Sequence, residues 1–166
     1  MKTIKTYQTR QEEKFTSDFK TITNHIIIVS LGFLFTDFFI IYFSNQVLHA
    51  TGLQLGLYYS FYTGSSLFTS MLIGYLADKY SKKVLVRIGC LLRGLSYFGI
   101  YVSIVSYSIF GIYISTLLLG IAIGFFWVPF DSLISEKTSR YYRSTAFAKK
   151  SLKRDLGSII GVILGL

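Results

Sequence analysis

The chain has 166 residues, 52% of them hydrophobic and 17% aromatic, with a mean hydropathy of +0.52; so apolar a chain lacks the polar surface of a soluble globular domain and reads as an all-α integral membrane protein. A net charge of +9 does not point to nucleic acid, because the 17 basic residues sit between apolar runs and do not line one amphipathic face. With Cys90 the only cysteine, an intramolecular disulfide and a cysteine-built metal site are excluded.

Residues 1–24 form a polar cytoplasmic leader. Phe15, Phe19, Ile22 and Ile26 recur at helical spacing, which predicts an amphipathic helix lying at the cytoplasmic interface. The apolar run 25–43 exceeds the ~7–15 residues of a signal-peptide core and no small-residue cleavage pattern follows it, so it reads as a retained span. With runs 55–77, 84–105 and 108–130 it makes four stretches near the ~20 residues that a helix needs to cross a hydrocarbon core. A basic cytoplasmic segment, 131–155, follows them. The last run, 156–166, reaches only about half the core thickness at ~1.5 Å per residue, so it is expected to be an incomplete fifth transmembrane helix. The expectation is a partial bundle whose missing C-terminal helices are needed for a complete assembly.

Orientation follows from the placement of Lys and Arg. The leader, the loop between the second and third runs with the adjoining end of the third, and the segment after the fourth run hold every basic residue; the segment 44–54 and the turn near Ser106 hold none. The N-terminus is therefore expected in the cytoplasm, with the lipid bilayer as the chain's main partner.

Within the spans, a few residues stand out. Asp37 lies past the middle of the first run beside Thr36, where a carboxylate must face a polar cavity or a partner; proton or cation coupling and a structural hydrogen bond near the outer interface are both open roles. Arg93 lies close to the midplane of the third run, placed to snorkel toward the cytoplasmic headgroups, to pair with an acid or to meet a solute. Small residues recur four apart at Ser60 and Gly64, at Ser66, Ser70 and Gly74, and at Gly120 and Gly124, the pattern of close helix packing in lipid. Pro129 is expected to bend or end the fourth helix beside Asp131. His25 and His49 are isolated, so no metal constellation follows, and the phosphate-loop, H-E-x-x-H and nucleophile-elbow signatures of enzymes and their cofactors are missing.

Between the second and third runs stands G-Y-L-A-D-K-Y-S-K-K, from Gly74 to Lys83. It resembles the cytoplasmic loop signature of the major facilitator superfamily: Gly74, Leu76, Ala77, Asp78, Lys79, Lys82 and Lys83 match it, and Ser81 stands where a second glycine is usual. Leu55-Gly56-Leu57, the stretch Gly120 to Pro129 with Leu133 to Glu136, and Arg143, Ala146, Phe147, Leu156, Gly157 and Gly161 resemble later landmarks of the family. Two further departures matter. Thr116 stands where many proton-coupled members carry an arginine, and Val162 with Gly165-Leu166 departs from the antiporter glycine signature, which leaves proton coupling at that site and export with little support.

The resemblance implies a secondary active transporter of small organic solutes in the cell membrane, not an enzyme, working by alternating access. It also implies a conformational latch in which Gly74, Asp78, Lys79, Lys82 and Lys83, joined by Glu136, make and break contacts at the cytoplasmic rim. Asp37 and Arg93 are the candidates for coupling or for the solute cavity. Because the chain covers about four and a half spans of a twelve-span pattern, the short form is expected to be inactive alone, and a non-transporting four-span module that binds a membrane partner is the alternative.

Overall fold

The computed structural model describes residues 17–31 and 33–165, with side chains described for 19–31 and 39–164. Phe15 and the rest of the leader before Ser17, and the side chain of Asp37, lie outside the described residues. All regular structure among the described residues is helical: α1 (Ser17–Ser30), α2 (Phe33–Gln46), α3 (Gly52–Lys79), α4 (Lys82–Val105), α5 (Ile109–Glu136), a 3-10 turn (Arg140–Tyr142) and α6 (Arg143–Gly165). The chain divides into two compact units, one of Met1–Phe38 with Leu133–Leu166 and one of Phe39–Ser132.

In the first unit α1 packs on α6. Gly157 and Gly161 allow it: a Cβ at either position would stand 3.0 Å from the Ile27 Cα and 2.9 Å from the Leu31 Cα respectively, so only hydrogen fits there. Ser158 donates to the Ser30 carbonyl at 3.3 Å, and Lys153 donates to Thr23 Oγ1 at 3.2 Å and Asn24 Oδ1 at 2.5 Å. The Ser158 hydroxyl gives the last carbonyl of α1 a partner that a continuing helix would have supplied. There the chain leaves α1, with the Leu31 N–H reaching back only to the Ile28 carbonyl. The apolar run 25–43 is accordingly carried by two helices of 14 residues each, and neither reaches the ~30 Å of a hydrocarbon core at ~1.5 Å per residue. Of the expected amphipathic face, Phe19 and Ile26 are buried.

In the second unit α5 lies between α3 and α4. Gly120 and Gly124 meet α3 at Ser66 and Thr69, where a Cβ would come within 3.1 Å of the Ser66 amide nitrogen and 2.9 Å of the Thr69 Cβ. On the other side Gly89 of α4 sits on the α5 backbone, 2.8 Å from the Phe126 nitrogen to an added Cβ. Ile40, Tyr58, Ile100, Ile112 and Leu119 form the buried core. Thr51 starts α3 with a capping box: its hydroxyl accepts from the Gln54 N–H at 3.4 Å while Gln54 Oε1 accepts from the Thr51 N–H at 2.8 Å.

Pro129 does not end its helix. α5 runs through it to Glu136, although a proline leaves the Phe125 carbonyl without its helical donor. Packing holds the segment: Pro129 is fully buried and the neighbouring turn is clasped by Gly89.

Outward faces are apolar. Met71 on α3 is 79% exposed, Leu91 on α4 75% and Phe110 on α5 77%, an arrangement unfavourable in water and natural against lipid tails. Among the described residues two helices, Lys82–Val105 and Ile109–Glu136, are long and apolar enough to cross a membrane. With 28 residues α3 is as long, but its serines, threonines and tyrosines dilute its apolar character.

Candidate functional site

The basic loop motif folds as a tight helix-to-helix turn. Only Tyr80 and Ser81 separate Lys79, the end of α3, from Lys82, the start of α4. The Tyr80 N–H closes α3 on the Leu76 carbonyl at 2.8 Å, and the Ser81 carbonyl opens α4 by accepting from Val84 at 2.9 Å and Leu85 at 3.2 Å. An extended backbone at both link residues turns the chain sharply, so the last turn of α3 and the first turn of α4 present their charges at one end of the unit.

That end is electrostatically one-sided. Lys82 and Lys83 occupy the first two positions of α4, at the positive end of its dipole, and no acid lies in the first turn to offset them. Asp78, the one acid between Asp37 and Asp131, sits one residue inside the end of α3 and is exposed. Among the described residues no ion pair joins Asp78 to Lys82 or Lys83. Lys79 turns instead to its own helix, its ammonium 4.2 Å above the Tyr75 ring and donating to the Tyr75 hydroxyl. A Cβ at Gly74 would meet nothing within 4 Å, so the glycine leaves open room beside the turn. Glu136, the last residue of α5, is exposed and falls in the first unit, the other five latch candidates in the second.

Arg93 lies on the buried side of α4, 9% exposed. Its Nε and Nη2 donate to the Tyr97 hydroxyl at 3.1 and 2.8 Å, one turn further along the helix, and the guanidinium carbon lies 5.3 Å from the centre of that ring. Tyr75 and Tyr97 are the two partners that sequence reasoning passed over. Each lies four residues from its cation, Tyr75 before Lys79 and Tyr97 after Arg93, and that spacing was the available signal.

The backbone of Asp37 lies on α2. Thr116, at the position of the family's span-four arginine, is fully buried and donates to the Ile112 carbonyl. Among the described residues no group of His, Cys, Asp and Glu gathers to hold a metal. An open cavity of about 410 Å³ lies on the α3–α5 surface, lined by Ser60, Gly64, Ser65, Leu117 and Ile121 among others, and none of the predicted site residues reaches it.

Compared with known proteins, residues 11–166 match the family described as Major Facilitator Superfamily. No curated protein and no solved structure matches the chain.

Proposed function

We infer the function from the premise that this chain belongs to the major facilitator superfamily: it serves in secondary active transport of small organic solutes across the cell membrane by alternating access, with its N-terminus in the cytoplasm. The supporting observation is the α3–α4 turn. It brings an exposed acid to the edge of a helix N-terminus that carries two lysines and no acid of its own. Such a terminus attracts Asp78, and a contact made in one state and released in the other biases the two states.

Magnitude decides how much the turn can do. An exposed ion pair is worth about 0.2–1 kcal/mol, at most about fivefold in a two-state ratio. A tenfold bias therefore needs several contacts, which is the role we assign to Glu136 beside Asp78, Lys79, Lys82 and Lys83, with Gly74 giving the turn room. We read the unpaired Asp78 as the released state. Coupling or solute contact falls to Asp37 and Arg93, two ionisable residues carried within the apolar runs.

The test compares cells carrying the natural gene, cells lacking it and cells with Asp78→Asn for accumulation of a panel of small organic solutes. A solute whose accumulation depends on the gene, and on Asp78 at equal membrane content, is the expected result. Accumulation unaltered by Asp78→Asn at equal content would refute the latch. A panel in which no solute responds to the gene would favour the other reading, a non-transporting membrane module, for which the open α3–α5 groove is the natural partner surface.

A further inference from the structure

The N-terminal half of α6 is basic and its C-terminal half apolar, within one unbroken helix, Arg143–Gly165. At ~100° per residue, Lys149, Lys153, Leu156, Ile160 and Ile163 fall in one stripe along it. This is not the stripe that meets α1, which holds Gly157, Ser158 and Gly161. Leu156, Ile160 and Ile163 are exposed, and so is Lys149. Lys153 is half-buried at the edge of α1, its ammonium fixed by two uncharged oxygens, Thr23 Oγ1 and Asn24 Oδ1. The nearest acid in sequence, Asp155, points away from this stripe by helical position and pairs with Arg154 at 3.0 Å.

We propose that Lys149 and Lys153, with the α1 edge at Asn24, bind the phosphate of an anionic phospholipid on the basic side of the bundle, and that its acyl chain lies along Leu156, Ile160 and Ile163. The order of chemistry along the stripe is that of the lipid itself: two ammoniums at headgroup level, then exposed aliphatic side chains one, two and nearly three turns deeper. Lys153 is held in place by α1, so its ordering precedes binding. Burial, and secondarily the charge of Lys149, hold the Lys153 ammonium below the usual lysine pKa; a phosphate between the two would relieve the repulsion. Basic pockets between membrane helices on the cytoplasmic side take anionic headgroups for the same reason.

The inference rests on the membrane reading of the chain, since α6 must enter the bilayer between Lys153 and Leu156. The test immobilises the full chain in detergent micelles and offers it phosphatidylglycerol or phosphatidylcholine with the same acyl chains. Phosphatidylglycerol retained in preference, falling about tenfold in Lys149→Gln with Lys153→Gln and kept in Lys149→Arg with Lys153→Arg, supports the site. Equal retention of the two lipids, unchanged retention in the glutamine variant, or full displacement by millimolar inorganic phosphate overturns it, the last by identifying a free anion as the ligand. Failure of the membrane reading shows separately, as a chain that stays monodisperse once detergent is removed.

Discussion

Arg93 and Tyr97 meet one turn apart on α4, with two guanidinium N–H groups directed at a single phenol oxygen at 3.1 and 2.8 Å. A charge inside an apolar bundle is tolerated only when its donors are satisfied. Tyr97→Phe keeps the ring and removes the acceptor. It is expected to cost about 1.5–3 kcal/mol, the range for hydrogen bonds to a charged group, read as a shift in the denaturant midpoint of the protein in mixed micelles. A midpoint unchanged from the wild type would show that the phenol contributes nothing to holding the arginine.

The glycines of the second unit are expected to divide sharply. A Cβ at Gly89 would stand 2.8 Å from the Phe126 nitrogen and 2.9 Å from the Phe125 carbonyl carbon, both backbone atoms that cannot step aside. Gly89→Ala should therefore cost about 1–3 kcal/mol through overpacking. Gly64→Ala, with nothing within 4 Å of the new methyl, should be neutral or raise stability by up to about 1 kcal/mol through helix propensity. Equal effects of the two, measured in the same micelles, would contradict the α4–α5 packing described above.

Much of this was legible in the sequence, for reasons tied to particular residues. The all-helical fold and the family followed from apolar runs and from the Gly74–Lys83 motif, because both are properties of consecutive residues. Sequence left open whether Pro129 bends or ends its helix, because that depends on what surrounds it: sequence shows the missing N–H but not Gly89 clasping the same turn from another helix. The bond from the Ser158 hydroxyl to the Ser30 carbonyl was hidden likewise, since the two residues lie 128 positions apart. At the turn, the motif named Asp78, Lys79, Lys82 and Lys83 but not the Tyr75 ring under Lys79.

Gly161 offers a test of the first unit alone. Replacing it with leucine sets a branched side chain against the Leu31 backbone, where even a Cβ would lie 2.9 Å from the Cα. Cysteines placed at Thr23 and Lys153, where the lysine ammonium reaches the Thr23 hydroxyl at 3.2 Å, joined by a bis-maleimide long enough to replace the lysine side chain, report on whether α1 and α6 stay together. In a background with Cys90→Ser, cross-linking should be near complete and should fall several-fold when Gly161→Leu is added. Undiminished cross-linking would mean that the helices do not depend on this glycine for their approach.

A latch at the cytoplasmic rim requires that the basic turns face the cytoplasm. With Cys90→Ser as background, single cysteines at Asn45, Lys82 and Lys149 are exposed in intact cells to a maleimide that does not cross membranes. The account predicts that Asn45→Cys reacts at once, while Lys82→Cys and Lys149→Cys react only after the cells are permeabilised. Labelling of Lys82→Cys or Lys149→Cys in intact cells would contradict it.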